Sequence, residues 1–312
     1  MNAAAILIGF ILLSKSASES IKRIITLAGH WGFSEFVVSF LFVGIVATFP
    51  ELFIGIISAL EGSPSFGAGI VIGSNIADLT IIVGIVALAA GGVRVHDSSF
   101  RDIKKLLPFI ALPFILLLDG ELSRIDGFAL LASFLVYLFL LLRKKSGGGA
   151  ACPKHGRVAV RKELMVLIFS VGVLIFSAHI ITGSAKWFSS ALSLPIFFVG
   201  SVVAVGTCLP ELTLAFNAAR QKHGDLGLGD VFGNVFADCL LTLGLIAVIS
   251  PIKPQYPLLV IMTAFLMVFS MLTLIIMSHS ENRLSKEEGA YLAILYFFFL
   301  AVMFGAEELM AA

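Results

Sequence analysis

Four acidic residues sit where acids are costly. Glu51, Asp78, Glu211 and Asp238 each lie inside strongly apolar sequence. A carboxylate at the centre of a membrane-crossing helix costs about 2.5–3.5 kcal/mol on insertion scales, so four would cost roughly 10–14 kcal/mol if additive, too much to be incidental. No Lys or Arg lies within the surrounding apolar runs, away from their ends, to neutralise them. Two carboxylates about 6 Å apart repel by roughly 3 kcal/mol at an effective dielectric of 20. A cluster of four therefore needs cations or protons. One divalent ion leaves two charges over, so the expected chemistry is a site that exchanges a divalent ion for several monovalent ions or protons.

The elements that must position these acids are duplicated. Residues 44–84 recur at 204–244 with a constant offset of 160 and no gap. The first copy reads V-A-T-F-P-E-L from Val46 to Leu52 and G-S-N-I-A-D from Gly73 to Asp78; the second reads G-T-C-L-P-E-L from Gly206 to Leu212 and G-N-V-F-A-D from Gly233 to Asp238. Glu51 pairs with Glu211, Asp78 with Asp238, and Gly84 with Gly244. Each glutamate follows a proline near the middle of its predicted span, and an interior proline frees carbonyls three and four residues back. Those belong to Val46 and Ala47 in one half and to Gly206 and Thr207 in the other. A carboxylate beside unpaired carbonyls suits a hard cation. The aspartates lie 27 residues after the glutamates, on the following helix, which a turn returns alongside. Glycines nearby, Gly67, Gly69 and Gly73 with Gly227, Gly229 and Gly233, would permit close helix packing.

Composition fits such a site. The 312 residues are 59% hydrophobic and 13% charged, with mean hydropathy +1.05, which predicts an all-α polytopic protein of the bilayer. Ten spans are expected, at 3–26, 34–60, 67–91, 103–118, 126–142, 163–188, 194–220, 227–250, 257–278 and 286–308. The first begins almost at Met1 without a basic leader or cleavage site, so it reads as a retained helix. Five spans per half is an odd number, so the halves must be inverted relative to each other. With both termini outside, all but three (Arg124, Lys186, Lys253) of the 21 Lys and Arg residues fall on the cytoplasmic side. The expected divisions are 1–142, a basic Gly-rich cytoplasmic linker at 143–162, and 163–312. Cys152 and His155 on that linker are too few ligands for a metal. Cys208 and Cys239 are expected as buried free thiols.

At its two repeats the chain resembles the calcium/cation antiporter superfamily, in particular its sodium/calcium exchanger branch. The family's G-T-S-x-P-E and G-S-N-x-x-N/D motifs correspond to Ala47-Thr48-Phe49-Pro50-Glu51 with Gly73-Ser74-Asn75-Ile76-Ala77-Asp78, and to Gly206-Thr207-Cys208-Leu209-Pro210-Glu211 with Gly233-Asn234-Val235-Phe236-Ala237-Asp238. The resemblance implies that Glu51 and Glu211 bind Ca²⁺ and that Asp78 and Asp238 complete the cation sites. It further implies ligands among Ala47 (through its backbone carbonyl), Thr48, Ser74, Thr207, Cys208 and Asn234, alternating access by the two halves, and sliding of the first and sixth helices. Ala47 replaces a Thr, Cys208 and Asn234 replace Ser, and Asp78 stands where Asn is common. A thiol is a poor ligand for a hard ion, whereas the extra acid would suit protons, so Na⁺ and H⁺ both stand as coupling ions. Composition and resemblance together imply a multi-pass transporter of the cell membrane, with no enzymatic chemistry, cofactor, nucleic acid or obligate protein partner.

Other classes fit less well. Gly227-Leu228-Gly229-Asp230 matches an intramembrane aspartyl protease string, yet the sequence has no Tyr-Asp partner, and Asp230 near a helix start is explained by capping. A passive channel usually takes its continuous pore from symmetric subunits, whereas inverted repeats in one chain favour alternation. His179 and Lys186 read as snorkelling or packing residues, Lys15, Ser18 and Glu19 as a solvated helix end, and the run Tyr296 to Phe299 as lipid-facing. Asn217 has no assigned role.

Overall fold

The structure, a computed structural model, describes residues 3–30, 48–94, 97–144, 160–208, 211–212, 216, 224–279 and 283–311. Ala47, Asn217, Cys152, His155 and most of the expected linker lie outside the described residues. Helices α1 (Ala3–His30), α2 (Phe49–Leu60) and α3 (Pro64–Ala77) are followed by a π-helical turn, Asp78–Ile82, and α4 (Val83–Ala90). Next come α5 (Asp97–Leu116), α6 (Arg124–Lys144), α7 (Val160–Leu192), α8 (Ile196–Thr207) and α9 (Gly224–Ala237). A second π-helical turn, Asp238–Thr242, leads into α10 (Leu243–Ile249), α11 (Pro257–His279) and α12 (Lys286–Ala311). Among the described residues the fold is all-α apart from a two-residue antiparallel pair, β1 (Val93–Arg94) with β2 (Arg283–Leu284), and one isolated bridge. Five helical runs among the described residues are long and apolar enough to cross a membrane: Pro64–Ala90, Val160–Leu192, Val231–Ile249, Pro257–Met277 and Lys286–Gly305.

The run through α3 is the centre of the molecule. Every residue from Ser65 to Thr80 is buried, as befits a helix that is apolar all round. Gly67, Gly69 and Gly73 make this possible, because a side chain at any of them would strike a neighbour. A Cβ on Gly69 would meet the Phe197 carbonyl of α8, and one on Gly200 would lie 2.5 Å from the Phe66 carbonyl of α3. The two helices therefore cross backbone to backbone, the membrane solution to close association. Helix α4 ends where Gly91 turns left-handed, with φ 77°.

Several contacts recur at the sequence offset of 160. Gly84 of α4 abuts Gly289 of α12, a Cβ there lying 2.6 Å from the Gly289 carbonyl. Its counterpart Gly244 abuts Gly127 of α6 at 3.2 Å. The β1–β2 pair joins Val93 to Leu284, and a second antiparallel bridge joins Leu122 to Ile252, each residue within two positions of the other pair's image. Both π turns also begin at matched aspartates.

Helices α1 and α7 lie against each other along much of their length. Arg23 Nη1 ties them by an ion pair to Glu163 at 2.8 Å, and the same guanidinium also binds Glu19. At the far end of α7, His179 Nδ1 and Lys186 Nζ reach Glu61, just beyond α2, at 2.5 and 3.0 Å. His179 and Lys186 thus tie α7 to the end of α2, the packing role of the two expected for them. The aromatic run on α12 also differs from expectation: Phe297 and Phe298 are exposed, but Tyr296 and Phe299 are 2% and 1% exposed. One helical face points outward, and residues three apart return to the opposite, interior face.

Candidate functional site

Each acid owes its place to a break in helix regularity. The sequence predicts Pro50 inside a helix, but it occupies the first turn of α2, with Thr48 as the N-cap residue. That position suits proline, whose missing N–H would have no helical partner there. Glu51 therefore sits at a helix start, where the dipole favours a carboxylate, rather than mid-helix. In the second copy α8 ends at Thr207 with Cys208 as its cap, and Glu211 and Leu212 are helical. The Leu52 and Leu212 amides donate to the Thr48 and Cys208 carbonyls at 2.8 and 3.0 Å, so the two glutamates follow matched turns.

Asp78 and Asp238 each open a π turn, a feature with no counterpart in the sequence expectation. Such turns loosen the regular backbone ladder and are frequent at functional sites. They bring the aspartates inward and into register with the opposite repeat. Ser74 Oγ donates to Asp238 Oδ2 at 3.5 Å, and Asn234 Nδ2 donates to Asp78 Oδ2 at 2.8 Å. Ser74 and Asn234 are themselves counterparts, so these bonds are reciprocal: each repeat holds the other's aspartate.

Burial around them is complete. Thr48, Glu51, Ser74, Asn75, Asp78 and Asp238 are 0% exposed, and Thr207, Cys208, Asn234 and Glu211 at most 4%. Asp238 lies within the electrostatic reach of Glu51 and Asp78, and Cys208 within that of Asp78, Glu51 and Glu211. Of the predicted site residues, Glu51, Asp78, Glu211, Asp238, Ser74, Thr207, Cys208 and Asn234 thus lie near one another, Thr48 is buried one turn before Leu52, and Ala47 lies outside the described residues. Both Glu51 carboxylate oxygens, Asp238 Oδ1 and the amide oxygens of Asn75 and Asn234 have no hydrogen-bond partner among the described residues. The nearby Thr207 hydroxyl donates instead to the Ala204 carbonyl at 2.8 Å. Buried acceptors without donors are expensive, and these gain most from a cation.

Among the described residues no three Asp, Glu, His or Cys side chains close on one point. A cation here must draw on carboxylates together with amide and hydroxyl oxygens, a set suited to hard ions. Cys208 Sγ turns toward the Ala204 and Ser74 carbonyls, at 3.2 and 3.7 Å. Cys239 accepts from Asn75 Nδ2 at 3.5 Å; both thiols are free and buried, as expected. Asn75, buried with its amide oxygen unpartnered among the described residues, is a candidate that sequence reasoning misses, although its place between Ser74 and Asp78 in the repeated motif is an available signal.

Comparison with known proteins bears on the fold and the family. The family described as sodium/calcium exchanger protein matches residues 1–143 and 162–305. The sodium/calcium exchanger MaX1 of Methanosarcina acetivorans is 26% identical over 97% of this chain and 99% of its own. A membrane protein of Methanocaldococcus jannaschii, MJ0091, is 29% identical over 85% and 88%. A structure of the sodium-calcium exchanger NCX_Mj soaked with Na⁺ and Sr²⁺ shares the fold, with TM-score 0.68 at 24% identity over 96% and 97% of the two chains. With the family's match covering both halves, and the two acid-bearing repeats interlocked at their aspartates, this integral membrane chain belongs to the sodium/calcium exchanger family.

Proposed function

We propose that the protein is a secondary antiporter that moves Ca²⁺ against Na⁺ across the cell membrane, by alternating access to one buried site. In this reading ten spans form two inverted five-helix repeats, 1–142 and 163–312, with both termini external and a cytoplasmic linker at 143–162. The observation that carries it is the reciprocal pair of bonds from Ser74 to Asp238 and from Asn234 to Asp78. Two repeats that share one site in this way can tilt about it without dismantling it. Glu51 and Glu211 would hold the divalent ion, with Asp78, Asp238, Thr48, Ser74, Thr207 and Asn234 supplying further oxygens and Ala47 a carbonyl. The paired helices α1 and α7 would be the element that slides, since Arg23 and Glu163 bind them into one unit.

Proton coupling on the same scaffold is the second reading, favoured by an acid at Asp78 and by a thiol at Cys208 turned to backbone carbonyls. Radioactive Ca²⁺ uptake into proteoliposomes separates the two, driven in turn by an outward Na⁺ gradient and an outward H⁺ gradient. Uptake with Na⁺ alone establishes sodium exchange, and uptake with H⁺ alone makes Asp78 and Asp238 the proton carriers. Uptake with neither removes Na⁺- and H⁺-coupled Ca²⁺ exchange and turns the test to other cations on the same scaffold.

Asp78→Asn gives a finer test. The amide keeps the shape and can still accept from Asn234, but it removes one charge. The coupling-ion dependence should shift by about tenfold while the half-saturating Ca²⁺ concentration changes by less than about threefold, since one hydrogen-bonded charge is worth about 1.5–3 kcal/mol. An unchanged Na⁺ and pH profile would assign Asp78 to scaffolding.

A further inference from the structure

Tyr296 of α12 is a buried phenol without a hydrogen-bond partner among the described residues. It is 2% exposed, and its Oη makes no hydrogen bond among the described residues. A buried tyrosine hydroxyl ordinarily finds one. Its place follows from the glycine contact between α4 and α12. A Cβ on Gly289 would meet Ala87 Cβ at 2.8 Å, and one on Gly84 would meet the Ala293 nitrogen at 3.0 Å. Advancing along α12 therefore means moving back along α4 toward Asp78. Three residues beyond Ala293, at about 1.5 Å per residue, Tyr296 comes alongside the π turn that Asp78 opens, and α12 does lie against that turn. Cys208 approaches the same region from the other half, with its thiol directed at the Ser74 carbonyl, and it lies within the electrostatic reach of Tyr296.

The two halves of the site are unequal at this point. Thr48 holds a hydroxyl where its counterpart Cys208 holds a thiol, so one hard donor is missing beside Asp78 and Glu211. We infer that Tyr296 Oη supplies that donor, as a neutral oxygen ligand that sets affinity for the monovalent coupling ion. A phenolic oxygen keeps lone pairs for a cation and adds no charge to a site already rich in carboxylates. It also reaches the position from a helix outside both duplicated acid-bearing segments, 44–84 and 204–244. The inference rests on the cation-exchange reading above and specifies which residue tunes it.

The test is a double-mutant cycle in proteoliposomes, with Tyr296→Phe, Cys208→Ser and the two combined, reading the Na⁺ or H⁺ concentration that half-maximally drives Ca²⁺ uptake. Tyr296→Phe should raise it by about three- to tenfold, the worth of one lost polar contact. Cys208→Ser in that background should recover most of the loss by returning a hydroxyl. The thermal midpoint in detergent gives a second reading that needs no flux. Without ions Tyr296→Phe should melt at or above the wild-type temperature, because an unpartnered hydroxyl has been removed; the rise on adding the coupling ion should shrink. If wild type transports and Tyr296→Phe keeps its coupling-ion dependence and ion-induced stabilisation, the inference falls alone. If wild type shows neither coupled uptake nor ion-induced stabilisation, the antiport reading falls with it.

Discussion

Glu51→Gln should abolish Ca²⁺ exchange, and it should do so in a protein that is as stable as wild type or more so. Glu51 is fully buried, and neither of its oxygens has a hydrogen-bond partner among the described residues. Its charge repels Asp238, and its place at the start of α2 offsets that repulsion only in part. Glutamine keeps the volume while removing that repulsion, so the ion-free protein should melt at the same temperature or higher. A divalent ion loses much more. At about 4 Å and an effective dielectric of 20, a double charge opposite a single one is worth about 8 kcal/mol gross, and even a third of that is about a hundredfold in affinity. Ca²⁺-driven uptake should drop by at least that factor, and the Ca²⁺-induced rise in melting temperature should vanish with it. Glu211→Gln, from the matched turn, should lose Ca²⁺ exchange by a similar factor. Near-wild-type flux in both variants would show that the divalent ion binds elsewhere.

How much the sequence made legible depends on what a charge in apolar sequence costs. The carboxylates and their spacing announce a site because nothing else offsets their burial, and the offset of 160 shows that the site is built twice. Glycines at Gly67, Gly69 and Gly73 announce close crossings because their missing side chains serve no other purpose there. Backbone irregularity was less legible. No residue type marks a π turn, so the turns at Asp78 and Asp238, which aim the acids across the repeat boundary, had no sequence signal. Proline is ambiguous in a related way: it kinks a helix from inside and also starts one, and only the position of Thr48 as a cap decides for Pro50. Tyr296 was hidden by composition. In a run of four aromatics, lipid and core faces differ by one residue, and burial depends on the rotation of α12 that the Gly84–Gly289 contact imposes.

That dependence of the site on glycine contacts leads to the second large effect, Gly69→Val. Helices α3 and α8 carry residues from opposite halves of the site, and their separation is set where Gly69 faces the Phe197 carbonyl and Gly200 faces the Phe66 carbonyl. Both obstacles are backbone, which cannot swing aside as a side-chain tip does. Valine adds a branched group at the crossing and must push the helices apart, at a cost of about 3 kcal/mol or more. The displacement would also part the Ser74 carbonyl from Cys208, the cap of α8, a little over one turn further along α3. The expected result is loss of the monodisperse peak on size-exclusion chromatography in detergent, or a sharply lower melting temperature with no Ca²⁺-induced stabilisation. Gly172→Ala on α7 is the matched control, because a Cβ there meets nothing within 4 Å. It should be neutral or stabilise by up to about 1 kcal/mol through helix propensity. A Gly69→Val protein that melts and transports as wild type would mean that α3 and α8 do not cross in contact.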